Sequence, residues 1–185
     1  MSKPSSVKYT YEDYLLFPDD GKRREIIDGD LYVSPSPNTK HQRASMNLSG
    51  LIHTFLKKNP MGEVFAAPFD VVFSDENIVQ PDLLFISRER SDVLTEKHVR
   101  GAPDLVVEIL SESTRRTDEK IKSKLFESRS VREYWIVDPE LEMVKVYRPG
   151  DSGFTRVAEL HADAADTLTT PLLPGLVLSI KEVFE

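Results

Sequence analysis

Apolar positions along this chain switch between two periods. Residues from Arg24 to Val33 alternate around Asp28-Gly29-Asp30, and Asp-Gly between apolar stretches predicts a β-hairpin. Met46, Leu48, Leu51, Ile52, Phe55 and Leu56 follow a 3.6-residue period. That predicts a helix opened by Asn38 or Thr39 and stopped near Asn59-Pro60, after the stiff break Ser34-Pro35-Ser36-Pro37. Upstream, Thr10 reads as an N-cap with Asp13 at the capping-box position, opening a short helix that ends near Pro18. Glu63 to Phe73 reads as extended and interrupted at Pro68, and a turn at Ser74–Asn77 leads into an apolar strand from Pro81 to Ser87.

The second half repeats these signals more strongly. Ser91 to Lys97 suggests a short helix. Pro103 to Leu110 is almost continuously apolar and β-branched, the mark of a strand buried on both faces. Ser113 or Thr114 begins a polar helix through Ser128, and Glu133 to Val137 is another buried strand. Met143–Tyr147 is its hairpin partner and Phe154–Leu160 an edge strand. A loop at Pro171–Val177 and a terminal helix at Ile180–Phe184 complete the order. The expected fold is mixed α/β around one central sheet flanked by helices, with a helical crossover joining the strands at 103–110 and 133–137.

With 185 residues and no linker or repeat, the chain is expected to hold one domain, residues 10–185, behind a flexible N-terminal arm, residues 1–9. Acidic residues outnumber basic ones, 31 to 24, which argues against non-specific coating of nucleic acid while leaving room for a local basic groove. The absence of Cys excludes disulfide scaffolds, thiolate zinc sites and Cys nucleophiles. The N-terminal stretch lacks an apolar signal core and no apolar run approaches the ~20 residues of a membrane span, so a cytoplasmic protein is expected.

Two apolar strands carry acids that such strands rarely tolerate unpaired. Asp82 opens the strand in Val79-Gln80-Pro81-Asp82-Leu83-Leu84-Phe85, and Glu108 lies inside Leu105-Val106-Val107-Glu108-Ile109-Leu110. If the strands are neighbours, the two carboxylates converge at one end of the sheet. Converging hard oxygens with open positions suit Mg²⁺ or Mn²⁺, which can activate water and stabilise a phosphate oxyanion. The plainer readings are that Asp82 caps a turn at the strand mouth and that Glu108 pairs with a Lys or Arg. Glu25 on the hairpin is a third carboxylate, unremarkable by itself. His41 and Gln42 in the first turn of the long helix are either ligands or phosphate contacts, or a surface cap. Asp104 reads as a turn cap, and Tyr134 and Trp135 as core. Phosphate-loop, dinucleotide, zinc-protease and serine-hydrolase motifs are absent.

These residues resemble the PD-(D/E)XK nuclease superfamily, and within it the Uma-type restriction-endonuclease branch. The resemblance is carried by Arg24-Glu25-Ile26-Ile27-Asp28-Gly29-Asp30-Leu31, Ser34-Pro35-Ser36-Pro37, His41-Gln42, the Asp82 and Glu108 strands, Arg132-Glu133-Tyr134-Trp135-Ile136-Val137-Asp138-Pro139 and Pro171-Leu172-Leu173-Pro174-Gly175-Leu176. One departure is that the superfamily's lysine slot, two residues after Glu108, holds Leu110. The branch instead resembles a pattern in which the next helix supplies the lysine, here Asp118, Lys122, Leu125 and Phe126, with Lys120 and Lys124 as near alternatives.

The resemblance implies a restriction-endonuclease-like fold and metal-dependent hydrolysis of DNA phosphodiesters. Asp82 and Glu108 would hold Mg²⁺ (or Mn²⁺), with Glu25 as a third carboxylate near the metal. Lys122 would serve the attacking water or the developing phosphorane charge, supported by His41 or Gln42. A homodimer follows by analogy, since cutting both strands takes two sites. Two other readings stay open: a nuclease-fold protein that binds nucleic acid or scaffolds without cutting, and a hydrolase of a different phosphate ester.

Overall fold

In the computed structural model, which describes residues 7–185, the two acid-bearing apolar strands lie side by side near the middle of the larger of two main sheets. These are β6 (Leu83–Ser87) and β8 (Leu105–Ile109), paired antiparallel with Leu83 opposite Val107 and Leu84 opposite Val106. β9 (Glu133–Asp138) runs parallel to β8 on the other side, so the helical crossover between them is present. β3 (Gly62–Ala66) closes one edge, and the hairpin of β10 (Met143–Gly150) and β11 (Gly153–His161) closes the other.

Continuous apolar runs in β6, β8 and β9 follow from having both faces covered. One face, carrying Phe85, Val107, Ile109 and Trp135, packs with Ala44, Leu48 and Ile52 of α2 (Thr39–Lys58) and with Ile180 and Val183 of α4 (Ile180–Phe184). The other, carrying Leu84, Val106, Tyr134 and Ile136, packs against Val71, Val79, Leu125 and Phe126. Asn38 opens α2 by accepting the His41 backbone N–H at 2.9 Å, which satisfies one of the donors a helix start leaves unpaired.

A second sheet accounts for the first of these latter contacts. It takes in the hairpin β1 (Arg23–Ile27) and β2 (Asp30–Ser34), then β4 (Val71–Ser74), β5 (Asn77–Val79) and β7 (Val99–Arg100), in the order β2-β1-β5-β4-β7. Asp28 and Gly29 both have positive φ, 50° and 76°, the geometry a two-residue turn between right-twisted strands demands. The mixed α/β architecture flanked by helices is the expected one, but its strands divide between two facing sheets where one was expected, because the β4–β5 hairpin pairs with β1 and β7 and not with the larger sheet.

Two local differences have clear causes. In place of a helix over Ser91–Lys97, a 3₁₀ segment occupies Arg88–Val93 and the chain then turns. The Thr95 hydroxyl accepts the Lys97 and His98 N–H groups and donates to the His98 carbonyl, which diverts the backbone from helix. The polar helix after β8 runs over residues 115–128, but Thr117–Lys122 is wound as a π-helix before α3 (Ser123–Ser128). The capping box at Thr10 is present and opens α1 (Tyr11–Tyr14). Residues 1–6 of the expected arm lie outside the described residues. Lys8 and Tyr9 are tied to the hairpin, through Asp30 and the Gly29 carbonyl, each at 2.8 Å. Among the described residues, no helix is long and apolar enough to cross a membrane.

Candidate active site

The space between the two sheets holds a cluster of buried charge. In the β6–β8 register, Asp82 stands one step beyond the last pair and comes level with Glu108. Its Oδ2 accepts the Ile109 backbone N–H at 2.7 Å, which pins the carboxylate to the end of β8. Glu108 is 0% exposed. Glu25, on β1 of the facing sheet, accepts the Gln80 N–H through Oε1 at 2.8 Å. Lys122 joins the two sheets: its Nζ lies 2.8 Å from Glu25 Oε2 and 2.9 Å from Glu108 Oε1.

Lys122 is itself 1% exposed, unlike the solvated face expected for most cations of that helix. Asp118, four residues earlier, is also buried and lies 3.3 Å from the same amine. Both belong to the π-helical turn, a distortion that recurs at functional sites. Tyr134, fully buried on β9, donates its hydroxyl to the Asp118 carbonyl at 3.0 Å and so holds this turn against the sheet. Lys120 and Lys124 are exposed and take no part in the cluster.

Charges in so dry a place interact strongly. Burial opposes ionisation of Asp82, yet the His41 ring, the Arg23 charge and the Ile109 N–H together bring it down to about 2. For Glu108 burial prevails. Lys122 draws it down, but Asp118, Asp82 and Glu25 add repulsion, and its carboxyl sits well above the ordinary range. Asp118 is raised by burial and by the neighbouring acids, against the pull of Lys122. Burial lowers the Lys122 amine, but Glu108, Glu25 and Asp118 outweigh it and raise the group above its ordinary value, so it is a permanent cation.

A cleft of about 870 Å³ opens onto this cluster from the side of Asp82, Arg23 and His41. Arg23, at the head of β1, reaches Asp82 Oδ1 at 2.6 Å. Nε2 of His41 lies 3.2 Å from Asp82 Oδ2. Gln42 lines the cleft without touching the acids, as do the Ser34–Pro37 and Ser111–Thr114 loops. Glu25, Glu108 and Lys122 lie behind Asp82 and Arg23. The structure therefore gathers Glu25, Asp82, Glu108, Lys122 and His41 at one place. It adds Arg23, to which the sequence reading gives no role, Asp118, named there only as the start of the lysine pattern, and Tyr134, read there as core.

Among the described residues, no three His, Asp or Glu side chains form a ready-made metal cage. Asp82 and Glu108 nonetheless fit a hard divalent cation on two counts. Mg²⁺ is commonly held through one or two carboxylates while keeping several waters. Oε2 of Glu108 is buried and has no hydrogen-bond partner, so one donor oxygen is free. The carboxyls of Glu25, Asp82, Glu108 and Asp118 face the cations Arg23 and Lys122, and the His41 ring also faces Asp82. Both oxygens of Glu25 are already engaged, by Lys122 and Gln80.

Fold and site define a two-sheet α/β protein with an acidic centre and one buried lysine. The chain matches the Uma2 family, "putative restriction endonuclease", over residues 11–181, and it belongs to that family. Its fold is restriction-endonuclease-like. It is similar to the crystal structure of a "putative nuclease belonging to DUF820" from Anabaena variabilis ATCC 29413. The TM-score is 0.78 at 22% identity, over 95% of this chain and 97% of that one. No curated protein matches the sequence.

Proposed function

We propose that this protein is a divalent-metal-dependent phosphodiesterase acting on DNA, with Asp82 and Glu108 as the residues that would hold Mg²⁺ or Mn²⁺. The observation that carries the reading is the unpartnered, fully buried Oε2 of Glu108 beside Asp82. When bound, the cation supplies an activated water and offsets charge on the phosphate oxygens.

The chain's own groups have separate tasks. Asp82 stays ionised at any working pH because Arg23, His41 and the Ile109 N–H favour its carboxylate. Glu108 must shed a proton to serve as a ligand, so metal binding strengthens as pH rises. Lys122 cannot act as a base, since its amine remains protonated. It orients Glu108 and Glu25 and supplies fixed positive charge toward the phosphorane. Glu25 acts beside the metal by holding Lys122. His41 supports Asp82, and Gln42 faces the substrate in the cleft. Cutting a duplex takes two such sites, so the working unit is a homodimer.

A non-cutting, scaffold or binding reading draws on one observation: Lys122 and Arg23 already pair with the acids. Incubating DNA with the protein in Mg²⁺ and in Mn²⁺ separates the two. The proposal expects cleavage that chelator abolishes and that Glu108→Gln lowers by at least about 10²-fold while the variant keeps its fold. Undiminished cleavage by Glu108→Gln, or no cleavage with either metal, rejects it.

A further inference from the structure

Arg23 stands between the cleft and the buried carboxylates. It forms part of the cleft wall, and its side chain is 20% exposed. One end of the guanidinium holds Asp82 at 2.6 Å, while the other stops 3.9 Å from Glu108 Oε2, too far for a hydrogen bond. Its Nε is buried and without a partner, as is Glu108 Oε2. A planar fork with five donors is suited to two parallel bonds, so this is an imperfect seat for an arginine. Lys122, by contrast, is surrounded by acids.

We infer that Arg23 is an exchangeable counter-ion, spanning Asp82 and Glu108 in the metal-free protein and turning into the cleft, onto the substrate phosphate, when a divalent cation takes its place. The inference rests on the metal reading above and adds a second task for this side chain. Two cations cannot share the same pair of carboxylates without strong repulsion in a dry site. Arg23 is the one with an open path, since it already borders the cleft, whereas Lys122 is enclosed. Its departure exposes Glu108 to the cleft, and a guanidinium fork matches phosphate geometry. Metal and phosphate therefore favour each other's binding, and the metal-free protein keeps its acids neutralised.

The test uses the wild-type protein with phenylglyoxal, which modifies accessible arginines, followed by mass spectrometry of each site with chelator or with Mn²⁺. Exposed Arg156 is the internal reference. Exchange predicts that Mn²⁺ speeds labelling of Arg23, and not of Arg156, by roughly tenfold. Calorimetry should show Arg23→Gln binding Mn²⁺ roughly tenfold tighter than wild type, a coupling within the usual range. If wild type binds Mn²⁺ while Arg23 labelling stays unchanged or slows, the exchange is wrong and the metal reading stands. If neither protein binds Mn²⁺, both fall.

Discussion

Replacing Lys122 with Met removes one positive charge from a pocket that holds three carboxyls within 3.3 Å of it. Met fills similar space, so the cavity contribution is small and the loss is electrostatic. Removing one member of a buried ion pair costs about 3–5 kcal/mol, because the partners stay buried without compensation. Against a total stability of about 5–15 kcal/mol for an ordinary domain, that loss is large. The pH dependence has a definite sign. Without the amine, Glu108 and Asp118, already raised by burial and by the neighbouring acids, ionise still less readily in the folded state than in the unfolded chain. Stability tied to groups raised in this way is fully present below their unfolded values, near 4.5 for Glu108, and is lost as pH rises through the folded ones. The deficit of Lys122→Met relative to wild type should therefore be smaller near about pH 5 than near about pH 8. Urea denaturation at both pH values measures it. Adding Glu108→Gln should recover part of the loss, giving a double variant less destabilised than the sum of the singles. A Lys122→Met protein as stable as wild type near neutrality, or one whose deficit grows on acidification, refutes the electrostatic account of the cluster.

Three further outcomes follow. Asp82 titrates at about 2 in the fold against 3.8 ordinarily, so its contribution, worth about 2 kcal/mol, is present above pH 3.8 and lost as pH falls through 2. Acid denaturation of Asp82→Asn should lack that component. Tyr134→Phe leaves the Asp118 carbonyl without its donor and should cost about 1–3 kcal/mol in denaturant melts. Loss of the π turn in the variant's structure, with Lys122 displaced from Glu108, would accompany it. Asn38→Ala removes the cap that precedes His41 and should cost about 1 kcal/mol by thermal denaturation.

The acids were legible because they break a pattern. Glu108 interrupts a run of aliphatic residues, and Asp82 opens another, so their burial and adjacency follow from the same strands that make the core. Lys122 is singled out only by the resemblance to a family pattern, since nothing in its own neighbourhood of Lys120 and Lys124 distinguishes it. Its burial depends on the π turn, a backbone choice without a composition signature. Arg23 was illegible for a similar reason: Lys22-Arg23-Arg24 reads as a solvated start to a hairpin. Only the facing of two sheets turns that side chain toward Asp82. The second sheet leaves no clear pattern in the sequence because β5 has three residues and β7 two, too few to show a period.

The most direct measurement is anomalous diffraction from crystals soaked in Mn²⁺. The account predicts a single strong peak bridging the Asp82 and Glu108 carboxylates, with Lys122 still bonded to Glu108. A fully soaked crystal with no peak there, or with the peak elsewhere and Arg23 still seated between the two acids, would contradict it.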